Sequence, residues 1–114
     1  MITISADELD LLTFFECEPK LRDADVRWVY NDALYEFSRG DLTLSCAIAP
    51  SYKDVRLILK NGLQAVYELN AMGLADVRYH KDSNRESLEI EISDHDRLWV
   101  RLKPAITISH EAKE

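Results

Sequence analysis

Apolar positions fall into two regimes along this chain. Up to about residue 19 they recur at helical spacing, and beyond about residue 26 they alternate with polar ones. In the first regime Leu11, Leu12 and Phe15 share one face, with Phe14 on its shoulder. Ser5 is a favourable N-cap, and Glu8 three residues on completes a capping box. Ile4 and Leu9 are spaced for a hydrophobic staple across that cap. Asp7, Glu8 and Asp10 fall in the first turns, where the helix dipole favours negative charge. Pro19 ends the helix near Glu16 to Glu18. The pattern predicts one N-terminal helix.

In the second regime the period is two. Trp28 to Phe37 supplies aromatic-rich strand material, and Arg39-Gly40-Asp41 forms a turn. Leu42, Leu44, Cys46 and Ile48 then alternate with Thr43, Ser45 and Ala47 up to Pro50. Val55, Leu57 and Leu59 alternate before the Asn61-Gly62 turn. A three-residue loop, Lys60-Asn61-Gly62, aligns Leu59 with Leu63, Leu57 with Ala65 and Val55 with Tyr67. A short helix over 63–70 is the alternative. Further on, a loop at Asp82 to Arg85 pairs Tyr79 with Leu88 and Val77 with Ile90. A loop at Asp94-His95-Asp96 pairs Ile92 with Leu98, Ile90 with Val100 and Leu88 with Leu102. The outer face then carries Arg78, Glu89 and Arg101 in one row and Asp76, Glu91 and Trp99 in the next. Ile106 and Ile108, after Pro104, read as an edge strand.

The expected architecture is a single α+β domain over 1–110 with a frayed tail over 111–114. One N-terminal helix packs on an antiparallel, meandering sheet of about six to eight strands, which can curl towards a half-barrel. A length of 114 residues fits one domain.

Charge narrows the function. The chain has 14 Lys plus Arg against 21 Asp plus Glu, a net −7. Residues 1–26 alone sum to −5, and the remainder to −2. Such a balance argues against nucleic acid and anionic membranes as partners. No stretch is apolar for long enough to span a bilayer, and the start lacks the basic and apolar runs of a signal peptide. With only two cysteines, Cys17 and Cys46, the expected setting is the reducing cytoplasm.

Candidate chemistry is sparse. His80, His95 and His110 share no ligand spacing, and Asp94-His95-Asp96 reads as a solvated turn rather than a metal site. Cys46 falls on the apolar face, while Cys17 ends an acidic helix that disfavours a thiolate. Neither a nucleophile elbow nor a glycine-rich phosphate loop is present, so no catalytic residue, metal or cofactor is expected. Glu89 and Glu91 read as members of a cross-strand ion-pair ladder. Two features suit binding instead: Trp99 beside Arg97 and Arg101, and the aromatics Trp28, Tyr30, Tyr35 and Phe37 around Asn31-Asp32.

In size, acidity and helix-plus-sheet plan the chain resembles the small acidic immunity proteins of bacterial toxin systems. The resemblance implies a non-catalytic protein that binds a basic cognate toxin and blocks its active site. Contact candidates are Asp7, Asp10, Glu16 and Glu18, with Arg78, Glu89, Trp99 and Arg101 on the outer sheet. Two alternatives stand beside it: a homodimeric accessory subunit joined through the Ile106–Ile108 edge or Trp99, and a small-ligand carrier using the sheet's concave face.

Overall fold

The computed structural model describes residues 3–112. Among these described residues one α-helix, α1 (Glu8–Phe15), is followed by nine strands: β1 (Lys20–Leu21), β2 (Ala33–Arg39), β3 (Leu42–Ala49), β4 (Asp54–Asn61), β5 (Gln64–Ala71), β6 (Asp76–Asp82), β7 (Arg85–Glu91), β8 (Asp96–Arg101) and β9 (Thr107–Ala112). Helix and antiparallel meander are as expected, but the strands form two sheets rather than one. Strands β1 to β5 make a five-stranded sheet in sequence order, and β6 to β9 a four-stranded one. The break falls between β5 and β6. There Gly73 donates its N–H to Asp54 Oδ1 (3.0 Å), buried Leu74 bonds Lys53 O (2.9 Å), and Ala75 already bonds Glu91 O (2.9 Å). The chain is thus handed from the first sheet to the second within three residues.

The helix cap differs from the sequence reading. Asp7, not Ser5, is the N-cap: Asp10 N–H donates to Asp7 Oδ1 at 2.8 Å, and Asp7 N–H to Asp10 Oδ2 at 3.1 Å. Leu9 is exposed, so the expected staple with Ile4 is absent. Ser5 is drawn away because the segment before α1 lies along β6, where Ala6 N–H bonds Val77 O (2.8 Å) and Ser5 bonds the Asp76 carboxylate through both N–H and Oγ. Asp7→Ala should therefore cost about 1 kcal/mol in unfolding free energy, while Asp7→Asn, which keeps the acceptor, should cost little. Urea titrations of the two variants check the assignment.

Burial follows the alternation. Leu11, Phe14 and Phe15 point inward from α1, whereas Leu12 does not. They join Tyr35, Leu44, Cys46, Ile48, Val55 and Leu57 from the first sheet and Val77, Leu88, Ile90, Leu98 and Val100 from the second in one continuous core. Stacking of Phe15 on Tyr35 (centroids 4.7 Å) ties the helix to the first sheet, and an edge contact of Phe14 with Tyr79 (6.2 Å) ties it to the second.

Two registers depart from expectation. Residues 63–70 are mostly strand, but Gly62-Leu63 makes the turn, with Asn61 opposite Gln64. Gly62 has φ +63°, which glycine adopts freely. A bulge then skips Val66, so Leu59 faces Tyr67, Leu57 faces Leu69 and Val55 faces Ala71. Leu63, expected opposite Leu59, is fully exposed at the tip. At the β7–β8 turn the loop is Ser93-Asp94-His95, closed by Ile92 N–H to Asp96 O (3.0 Å). Leu88 therefore pairs with Val100 and Ile90 with Leu98. A shift of two keeps every side chain on its expected face while changing its neighbours. The β6–β7 pairs, Val77 with Ile90 and Tyr79 with Leu88, are those expected. Strand β9 continues past the expected fray point, pairing Glu111 with Arg97 and Ala112 with Asp96.

Candidate functional site

The apolar sides of β6 to β9 face the core, which leaves their other side as a polar surface uncovered by α1. The changed register decides what meets there. Arg78, Glu89 and Trp99 lie in one cross-strand row, with Ser109 beyond; Asp76, Glu91, Arg97 and Glu111 form the next. Arg101, expected beside Glu89, pairs instead with Thr107, two residues along the same face.

Glu89 is the centre of this surface. Its side chain is only 6% exposed, yet two guanidinium groups and an imidazole converge on it. His80 Nε2 is 2.8 Å from Oε1; Arg97 Nε and Arg78 Nη1 are 2.7 and 3.4 Å from Oε2. Arg78 also reaches Glu91 Oε1 (2.9 Å) and Asp76 Oδ2 (3.4 Å). Its hydrogen bond to Glu91, with the nearby charges of Asp76 and Glu89, holds the guanidinium more firmly protonated than usual. The enclosed carboxylate is thus the common partner that ties β6, β7 and β8 together across this face. Half-buried Trp99 lies against His80 (ring centroids 5.3 Å) and, with exposed Arg101, borders a shallow depression floored by Thr107 and Ser109.

Asp76 joins this surface to the N-terminal segment. Burial pushes its carboxyl up, but hydrogen bonds from Ser5 and the Val77 N–H, with Arg78 alongside, outweigh it and hold the group below its ordinary 3.8. Because the folded value is the lower one, this contribution to stability is complete above the unfolded value. It is lost as pH falls through the folded one. Asp76→Asn should flatten the dependence of melting temperature on pH in that acidic window and leave the dependence at neutral pH unchanged.

The helical candidates serve structure first. Asp7 and Asp10 cap each other, and Glu16, left-handed at the helix end (φ 58°), pairs with Lys103. Glu18 is exposed and, among the described residues, in no ion pair. The structure does not bring these four to the Trp99 face as one patch. Of the aromatics, Tyr35 is buried and takes a hydrogen bond from Trp28 Nε1 (3.0 Å); burial pushes its phenol to about 12, the Trp28 contact opposing. Trp28 and Phe37 pack on the core, and Trp28–Tyr30 is a 3-10 turn rather than strand. Burial likewise pushes the Cys46 thiol to about 12, which leaves it un-ionised at neutral pH.

No family model matches the chain, and no curated protein matches it in sequence. The fold, however, has a counterpart. It is similar to a chain of a contact-dependent growth inhibition toxin–immunity protein complex from Klebsiella pneumoniae 342, with a TM-score of 0.81 over 96% of each chain at 18% identity. The likeness is therefore one of whole-chain architecture, both sheets and helix together. The resemblance of plan seen in the sequence meets a solved fold from a toxin–immunity system. Among the described residues no helix is long and apolar enough to cross a membrane.

A second surface draws on part of the aromatic cluster expected to suit binding: Tyr30, Asn31 and Asp32 line a cleft, while Trp28, Tyr35 and Phe37 do not. Tyr52, Met72 and Arg56 lie with Tyr30 around this cleft of about 570 Å³ on the first sheet. The alternation marks Arg56 as outward-facing, but nothing in the pattern links it to two tyrosines some 20 residues apart in sequence.

Proposed function

We propose that this chain is a non-catalytic immunity-type protein that binds a basic toxin domain and neutralises it. What carries the reading is the match of fold, end to end, with a chain from a toxin–immunity complex. Charge favours the neutralising member of such a pair, since a net −7 complements a basic partner and speeds its capture. The composition of the outer face of β6 to β9 supports the same reading. Its charges are largely matched internally, which leaves Trp99 and Arg101 as residue types that dominate binding energy elsewhere.

A tagged chain exposed to native lysate should retain one basic protein in stoichiometric amount, released as salt is raised. Trp99→Ala should weaken that complex by about 2 kcal/mol if the tryptophan is a central anchor. Glu18→Lys should slow association without touching the helix cap, which reversal of Asp7 or Asp10 would break. Retention of no partner, or of one indifferent to salt, overturns the proposal.

A further inference from the structure

The outer face of the five-stranded sheet carries a feature the proposed function does not use. Ala47 and Ala49 face outward from β3, opposite Arg56 and Asp54 of β4. Their side chains end at Cβ, so the sheet surface is low there and a cleft of about 570 Å³ opens above it. Two 3-10 turns that pack against each other, Trp28–Tyr30 and Pro50–Tyr52, wall it, and each ends in an exposed tyrosine. Tyr52 is 72% exposed and Met72 on the opposite rim 76% exposed. Large apolar side chains so open to water, ringed around a hollow, are costly to leave uncovered.

The lining is acidic. Asp23, Asp32 and Asp54 stand against Arg22 and Arg56, and Arg56 is already paired with Asp32. Asp23 and Asp54 accept backbone N–H bonds, from Asp25 (3.1 Å) and Gly73 (3.0 Å), but among the described residues neither is in an ion pair. The Asp32 Oδ1 atom is covered and, among the described residues, has no donor. A cation placed in the cleft would meet Asp23 and Asp54 and supply a donor near Asp32 Oδ1, and the tyrosine faces suit a planar one.

We propose that the cleft over Ala47 and Ala49 is a docking site for an arginine side chain projecting from a partner protein. The guanidinium group stacks on Tyr30 or Tyr52 and faces Asp54, while the neighbouring partner surface covers the Tyr52 and Met72 rim. A free amino acid would fill the hollow and leave that rim wet, which is why a protein-borne arginine is the occupant. This inference does not require the partner to be a toxin.

The test is a titration of the isotope-labelled chain, followed through its backbone amide resonances, with N-acetyl-arginine methylamide and with its uncharged citrulline counterpart. The arginine compound should give saturable shifts at Asp32, Ala47, Ala49 and Asn70, and the citrulline compound none. Tyr52→Ala should weaken binding by about two- to five-fold. Asp54→Asn, which keeps the acceptor for Gly73, should weaken it while leaving the rest of the spectrum intact. Equal shifts from both compounds, or no saturable shift in the cleft, would overturn the proposal. Tighter binding of free L-arginine than of the capped compound would also overturn it, in favour of a metabolite site. Because no toxin enters the measurement, its failure is distinct from failure of the neutralising function.

Discussion

Phe15→Ala should lower the unfolding free energy by about 3–5 kcal/mol, the range for deleting a buried aromatic. Phe15 is buried, stacked on Tyr35 and edge-on to Phe14 at 5.0 Å, so its ring is the hinge between α1 and the first sheet. Domains of this size are stable by only about 5–15 kcal/mol, so the alanine variant stands near the limit of folding. Phe15→Leu keeps much of the volume and should cost about 1.5 kcal/mol or less. Leu12→Ala, on the exposed side of the same helix, should stay within about 0.5 kcal/mol. Urea unfolding followed by circular dichroism separates the three; an unchanged midpoint for Phe15→Ala would mean that α1 is not anchored through this ring.

The second large effect belongs to Glu89. Removing one partner of a fully buried ion pair costs about 3–5 kcal/mol, because the other charge is left without compensation. Arg78 and Arg97 remain about a third exposed and keep contacts with Glu91, so solvent and that second carboxylate soften the loss. Glu89→Ala should therefore cost about 2 kcal/mol. A joint Glu89→Met and Arg97→Met replacement should recover part of it, since an apolar pair leaves fewer unmatched charges. Equal losses from the single and double variants would show that the convergence of cations on Glu89 has no energetic role.

Much of the fold was legible because faces are set by parity. Leu44, Cys46 and Ile48 had to point one way and Thr43, Ser45 and Ala47 the other, whatever the pairing. Register was less accessible, since shifts of an even number of residues preserve faces. The β7–β8 loop was read one residue late, and that alone moved Trp99 rather than Arg101 beside Glu89. At β4–β5 the bulge at Val66 obeyed no alternation and could not be anticipated from it. The helix cap was misread for a tertiary reason: Ser5 satisfies local capping rules, but Asp76, 71 residues away, takes its hydroxyl and amide. Division into two sheets likewise rests on long-range hydrogen bonds at Leu74 and Ala75.

The candidate surface was legible in part. Arg78 beside Glu89, and Trp99 on the polar side of the sheet, follow from period-two patterning. Convergence of His80 and Arg97 on the same carboxylate does not, because it depends on side-chain reach across diagonal positions. Of the tyrosine-rimmed cleft, the wall at Tyr30, Asn31 and Asp32 was legible as an aromatic cluster, but Tyr52 and Met72 were not, because the two short turns are brought together only by folding.

Growth rescue tests the central claim most directly. The basic protein retained by this chain would be expressed in bacteria alone, with the intact chain, and with its Trp99→Ala variant. The neutralising function predicts arrest by the partner alone, restored growth with the intact chain, and weaker protection by the variant. A partner that is harmless by itself, or an arrest that the chain does not relieve, would contradict the account.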